Sequence, residues 1–493
     1  MCSEKEALLK GFSAIKEHAG WGDTGNPFEF DRVCDIGVAQ LKILCGMSKD
    51  AGGTMCVLKD VLNRLHPIAH RHLHGQLPPA DSDKQTSAAA FSSMLDWLLA
   101  NRSWALPLDT TQRCLVHQAD CAVHPVKKRG REKLGSSESD DEVMHLHFAG
   151  VTCDGWSTIG KQQRFGHISE MAHNCYLVER VKRAEDGCED IAFVECTQNY
   201  PFATKVQSIL SKTHTTVSVV TGPELFGHPV HRRRVMGASI NKARYAWVGP
   251  ESAAAVEVEF SQLFYRAVTL SGGVYFAAPE QSRLQMYEAL AAGQTNHVSQ
   301  ERIQAMTSAE LFPLVLSSSQ HHHLQQWLQD REAWESSDGE LVVDLEHNLQ
   351  ERRRGGHLWP TQLTHGMLAH LPRGNSMKLA TPMEHLEAQG FHIFGEPGDA
   401  VSPMGKILEK FSINKCKELV GRGVHITVLS AWMFYVLSNI VRIHRPPSAK
   451  MLRGLTFTDP TDAEEKCDSD DPERQQVVAT AATADDCRPD DLD

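Results

Sequence analysis

The sequence has no run of 18 consecutive apolar residues, so it offers no segment of the length a membrane-spanning helix needs. Its opening, MCSEKEALLKGF, carries no apolar signal region. The 13 cysteines are odd in number and follow no framework spacing, which argues against a disulfide-stapled secreted scaffold and for mostly reduced thiols. Glycine is absent from the residues ahead of the first helical pattern too. That stretch holds MCSEKE, and Gly20-Trp21-Gly22 follows the first helical pattern instead of preceding it. Charge is not spread evenly either. The formal net charge is −12, but residues 459–493 hold thirteen acidic against three basic residues. The body is therefore close to neutral, and its balance does not argue against an anionic partner. These absences point to a soluble, intracellular chain with no membrane partner.

What is present suggests a chain of 493 residues with more than one domain. Leu8, Phe12 and Ile15 recur at helical spacing. FDRVCDI at 30–36 reads as a short buried strand, and GTMCVLKDVLNRL at 53–65 as a strand passing into a helix. This β–α–β rhythm predicts a parallel sheet. Residues 66–144 interrupt it with histidine clusters, PPADSDKQTS and KKRGREKLGSSESDDE, and read as an insertion with a disordered end. Strand-like HLHFAGV (145–151), IAFVEC (191–196) and VSVVTG (217–222) resume the sheet across 145–245. Residues 250–375 read as a helix-rich second, smaller domain, and 376–446 return to the first domain begun by 1–65. Within 376–446, VHITVLSAWMFYVLSNIVRI reads as a core helix. Residues 457–493 read as an acidic disordered tail.

Four segments carry chemistry. In FAGVTCDGWSTIG a strand ends on Cys153 at a tight turn, which makes that thiol either a packed small hydrophobe or a nucleophile at a sheet edge. FVECTQNYP is a strand ending on Glu195. LFGHPVHRRRVMGA sets Arg232 and Arg234 after a proline turn and ahead of an apolar strand. LATPMEHLEAQGFHI is followed by LVGRGVHITVLSAWMFYVLSNI. In this order they resemble the DNA (cytosine-5) methyltransferase family, well over 145–240 and 376–440 and weakly over 4–60.

The resemblance implies an α/β fold with a Rossmann-like S-adenosylmethionine-dependent methyltransferase sheet. It makes Cys153 the nucleophile, Glu195 the acid that engages the target base, and Arg232 and Arg234 the cations of the Gln-x-Arg-x-Arg pattern. Lys378, Thr381, Glu384, Gln389, Gly390 and Phe391 match a later pattern. Asp35 and Asp60 fall near the acidic residues for the ribose and adenine of S-adenosyl-L-methionine, and Gly421 and Gly423 match the late glycine loop. Region 250–375 lies where the family keeps its target-recognition domain, without an aromatic-basic pattern that names a DNA site. The chemistry suits these residue types. A thiolate adding to C6 makes C5 of cytosine nucleophilic. A carboxyl group can keep N3 protonated as charge develops, and arginine can hold O2. The base must leave the duplex to be reached.

The chain also departs from that pattern, with Thr152, Cys196, Val230 and Arg422 where the family has proline, asparagine, glutamine and asparagine. A second reading is therefore a catalytically impaired relative that binds nucleic acid or a partner protein. A third is an RNA cytosine-5 methyltransferase. Outside the resemblance, Cys114, His117, Cys121 and His124 form C-x2-H-x3-C-x2-H, with ligand types that suit zinc, against a polar loop as the alternative. His321-His322-His323 reads as a solvated helix face. The basic run KKRGREK reads as a nuclear import signal or a solvated linker, and Arg352–Arg354 as a solvated helix end able to touch phosphates. A nuclear location is the matching expectation.

Overall fold

The computed structural model describes residues 32–443, apart from internal stretches at 51, 124–143, 152–153, 157–162, 293–300, 302, 304, 337–338, 351–354, 374–376, 396–401 and 403. The chain divides after residue 444, and every described residue belongs to the first unit. The N-terminal helical pattern, the basic run, Arg352–Arg354 and the acidic tail lie outside the described residues.

Strands β1 (Arg32–Cys34) and β2 (Cys56–Leu58) pair in parallel, with Cys34 opposite Leu58. The helix Val38–Asp50 joins them and buries Leu41, Ile43, Leu44 and Met47, the crossover that the β–α–β rhythm predicts. After β2 the expected helix is only a 3-10 turn, Val61–Arg64. Pro67 explains the stop, because the residue before a proline is pushed to extended backbone.

The insertion is more ordered than its composition suggests. Helices Pro67–Gly75 and Lys84–Ala105 lead into a hairpin of β3 (Thr111–Arg113) and β4 (Asp120–Ala122). Asp83 caps the long helix by accepting from Gln85 and Thr86 N–H groups. Phe91, Met94 and Leu98 then fall on one face and pack on Met171, Cys175 and Val178 of the helix Glu170–Glu185.

The main sheet contains β5 (Leu146–Gly150), β6 (Ile191–Thr197), β7 (His214–Thr221) and β8 (Arg234–Asn241), in the order β5-β6-β8-β7. β5 and β6 are parallel, and β8 runs antiparallel to both β6 and β7. Six successive residues of β6, Ile191 to Cys196, are buried, as a strand covered on both faces requires. β9 (Tyr245–Trp247) follows.

Region 250–375 is helix-rich, as its sequence suggests, and it also carries strands that the sequence did not announce. Beside the helices Ala253–Phe264, Glu280–Ala292, Ser308–Leu314 and Ser318–Gln329 it contains β10 (Glu340–Asp344), β11 (Gly355–Gly356) and β12 (Leu368–Pro372). With β13 (Lys378–Leu379) they form an antiparallel sheet ordered β11-β10-β12-β13. These strands are short and pair across long sequence gaps, so no local alternation announces them. The chain then returns through Pro382–Glu387 and Ile413–Gly421 to the helix Ile426–Ser438, and β14 (Ile440–Arg442) pairs with β9. Val428, Leu429, Trp432, Met433, Tyr435 and Val436 bury against Phe193, Met236, Ala238 and Phe260. Ile426–Ser438 is the expected core helix: it is 13 residues long, and much of its surface is inside the fold.

Candidate active site

Glu195 stands near the carboxyl end of β6, opposite Gly150 of β5 and Met236 of β8, and is 8% exposed. The next strand delivers the arginines. Pro229 turns the chain, and residues 229–231 are clamped to Trp359: the Trp359 N–H donates to the Pro229 carbonyl at 2.8 Å, and the His231 N–H to the Trp359 carbonyl at 2.8 Å. Val230 is buried beside Trp359 and Phe276. From there residues alternate sides, as extended backbone dictates. Arg232 and Arg234 turn into the fold. Arg233, on the opposite side, donates from Nε to Glu224 Oε1 at 2.7 Å.

The two inward arginines have different jobs. Arg234 Nε lies 3.0 Å from Glu195 Oε1, an ion pair at the centre of the site. Arg232 is 4% exposed, and its Nη2 donates to the Gly421 carbonyl at 3.3 Å and to the Gly423 carbonyl. It thereby ties the start of β8 to the loop between the helices Ile413–Gly421 and Ile426–Ser438. Gly421 and Gly423 are explained by packing at that loop. A Cβ on Gly423 would sit 2.2 Å from Gln389 Oε1, and one on Gly421 would sit 3.0 Å from the main chain of Leu363 and Thr364.

Glu195, Arg232, Arg234, Met236, Val424, His425 and Val428 line one cavity of about 10 Å³. That is room for about one water molecule. His425 is the residue the sequence reasoning missed. It is 3% exposed, and neither ring nitrogen has a hydrogen-bond partner among the described residues. Burial, with the charges of His228 and Arg232, holds it well below the usual histidine range, so it stands neutral in the wall. His228 packs against it with ring centroids 4.9 Å apart. His425 lies two residues beyond Gly423 in GRGVHITV, but no spacing rule separates an orphaned buried histidine from a satisfied one.

Cys153 and His124 lie outside the described residues. Val151, two residues before Cys153, donates its N–H to the Glu195 carbonyl at 3.2 Å. Asp35 and Asp60 stand just past the carboxyl ends of β1 and β2. Asp35 Oδ1 accepts from the Gly37 N–H at 2.9 Å, and Asp60 Oδ1 from the Leu62 N–H at 2.9 Å. Asp60 has φ of 25°, a left-handed setting that a non-glycine residue rarely takes.

The later matched residues are structural props. Thr381 and Glu384 form a capping box, and Glu384 also pairs with Arg283 at 2.6 Å with both side chains buried. Gln389 Nε2 donates to Gln362 Oε1 and to the Val420 carbonyl, each at 2.5 Å. Gly390 takes φ of 84°, and Phe391 is fully buried. His321–His323 lie on Ser318–Gln329, where His323 bonds the Leu345 carbonyl at 2.8 Å and its two neighbours belong to an open face.

No protein-family model and no curated protein matches the chain. Solved structures similar to it include the methyltransferase EhMeth of Entamoeba histolytica, at TM-score 0.31 and 11% identity over 60% of this chain and 77% of that one. The Dnmt2 methyltransferase of S. pombe is similar at TM-score 0.30 and 14% identity, over 59% of this chain and 77% of that one. A mutant of Spodoptera frugiperda DNMT2 is similar at TM-score 0.25 and 10% identity, over 83% of this chain and all of that one. At such low similarity the functional reading rests on this chain's own residues.

Proposed function

We propose that the chain is an S-adenosyl-L-methionine-dependent cytosine-5 methyltransferase acting on DNA. The observation that carries this reading is the convergence of Glu195, Arg234 and Arg232 on one cavity. The same strand edge holds Val151, two residues before Cys153. A carboxyl group and a guanidinium set side by side suit the Watson–Crick edge of a flipped cytosine, for which the one-water cavity has to widen. As the Cys153 thiolate adds to C6, N3 takes up a proton from solvent and donates it in a hydrogen bond to the Glu195 carboxylate, while Arg234 orients Glu195 and offers its other N–H groups toward O2; after methyl transfer to C5, loss of the C5 proton to a solvent base expels the thiolate from C6 and N3 returns its proton. Arg232 positions the wall through the two glycine carbonyls. The two carboxylates at adjacent parallel strand ends, Asp35 and Asp60, fit the hydroxyl and amine groups of an adenosine. S-adenosyl-L-methionine, when bound, supplies the methyl group as a sulfonium.

The test is transfer of tritiated methyl from S-adenosyl-L-methionine to duplex DNA and, in parallel, to transfer RNA. The expected result is label in DNA, reduced about 10²-fold or more by Glu195→Gln and lost in Cys153→Ser. Label only in transfer RNA would move the substrate to RNA; equal transfer by wild type and Cys153→Ser would sink the nucleophile assignment. A second reading, a non-catalytic relative that binds nucleic acid or a partner, is favoured by the small cavity and by the use of Arg232 as a strut. Calorimetry separates the two, since binding of the methyl donor at micromolar concentration contradicts the non-catalytic reading.

A further inference from the structure

The insertion's hairpin meets β2 at a cluster that local sequence spacing only half reveals. Sγ of Cys56, Cys114 and Cys121 and a ring nitrogen of His117 all lie within 4.8 Å of one another. His117 Nδ1 is 3.5 Å from Cys56 Sγ and 3.3 Å from Cys121 Sγ. In a tetrahedral zinc site, bonds of about 2.3 Å to sulfur and about 2.05 Å to nitrogen place S and N about 3.6 Å apart. The observed edges fit that solid. We propose that Cys56, Cys114, His117 and Cys121 bind one structural zinc ion as a Cys3His site.

Second contacts favour the same assignment. His117 Nε2 faces the Gly53 carbonyl at 2.9 Å. Donating a proton there leaves Nδ1 bare and aimed at the sulfurs, the orientation that metal-bound histidines take from a carbonyl partner. The His117 N–H donates to Cys114 Sγ at 3.5 Å, as suits a thiolate at a tight Cys-x-x-His turn. Three thiolates, a neutral imidazole and Zn²⁺ sum to one negative charge, with the cation Arg32 acting on Cys56 and donating from Nε to the Ala122 carbonyl at 2.7 Å. Cys56 and Cys114 are buried, whereas His117 is exposed and leaves a path for entry. None of the three cysteines is joined in a disulfide, so each has its sulfur available to a metal.

The site explains how a hairpin with few apolar residues stays on the body. The Leu115 N–H donates to the Val57 carbonyl at 2.9 Å, and Gln112 Nε2 to the Lys59 carbonyl at 2.7 Å. The ion closes the same seam and steadies β2, the strand that leads to Asp60. Binding releases the three thiol protons to solvent.

The test uses the full chain, purified under reducing conditions on a tag without histidine, with zinc measured by plasma mass spectrometry. The expected content is about one zinc per chain, mostly lost in Cys56→Ser and retained in His124→Ala. The reverse pattern, loss in His124→Ala and retention in Cys56→Ser, overturns the assignment in favour of the locally spaced quartet. Substitution with cobalt keeps the proposal testable if Cys56→Ser does not fold. Three thiolates give stronger sulfur-to-cobalt charge-transfer absorption than the two of the locally spaced set. A wild-type chain that holds no zinc, or whose cysteines pair as a disulfide on non-reducing peptide mapping, also refutes it.

Discussion

Arg232→Met tests whether Arg232 is a strut or a contact to the base. In the folded chain the guanidinium is almost wholly buried, and its Nη2 supplies the carbonyls of Gly421 and Gly423. Hydrogen bonds from a charged donor contribute about 1.5–3 kcal/mol each, and a buried carbonyl left without a donor loses a similar amount. Removing the buried cation also relieves part of its desolvation cost, which offsets the loss. A net destabilisation of about 2–4 kcal/mol follows. Unfolding entropy of about 2.1 cal/mol/K per residue over about 360 described residues converts this to a fall in Tm of about 3–5 °C. The assay is thermal and urea unfolding without methyl donor, with methyl transfer measured on the same protein. Gly423→Ala should lower Tm too, because its Cβ meets a Gln389 side chain already fixed by two hydrogen bonds. The reasoning is refuted if Arg232→Met melts with wild type yet loses turnover at unchanged KM, because the guanidinium then acts only in the transition state.

Other outcomes follow from the same geometry. Arg234→Gln removes the cation from a largely buried pair, and because Gln keeps a donor beside Glu195 it should cost about 1–3 kcal/mol, while methyl transfer falls about 10²-fold or more; single-turnover kinetics beside urea melts check both. Arg283→Met leaves the buried Glu384 carboxylate without its cation and should cost about 3–5 kcal/mol, with much of that recovered in Arg283→Met/Glu384→Gln; a double-mutant cycle reads the difference. Burial lowers His173 and His385 to about 3 and His214 to about 4. Unfolded histidine titrates near 6.5, so the unfolded chain binds more protons below that pH; stability is complete above about 6.5 and is lost as pH falls toward 3–4. At pH 5.5 each of the three costs about 1.4 kcal/mol relative to pH 7.5, and a urea midpoint that does not move between those pH values contradicts the assignment.

What the sequence disclosed and what it hid divide along the range of the interactions. β5, β6 and β7 were legible because each is a contiguous apolar or β-branched run, and covering β6 on both faces forces that pattern into six successive residues. β11 is Gly355–Gly356, a pair with no strand propensity, paired with Val342 and Val343 of β10; its existence is decided by the partner. The arginines repeat this lesson. Their spacing of two correctly puts Arg232 and Arg234 on one side of an extended segment. It does not say that one meets Glu195 on the neighbouring strand while the other reaches the Gly423 carbonyl, 191 residues away. The metal-ligand set divides the same way. A turn and a two-stranded hairpin bring Cys114, His117 and Cys121 together locally, so their spacing carries the signal. The fourth donor comes from β2, and Cys56 is 61 residues from His117. Local spacing offered His124 instead. A quartet compressed into eleven consecutive residues has to fold back on itself, whereas a donor from a preformed strand adds no backbone constraint beyond the sheet that already exists. The same economy applies to the candidate active site, where Glu195 and Arg234 come from the sheet and the wall of His425 comes from the helix packed upon it.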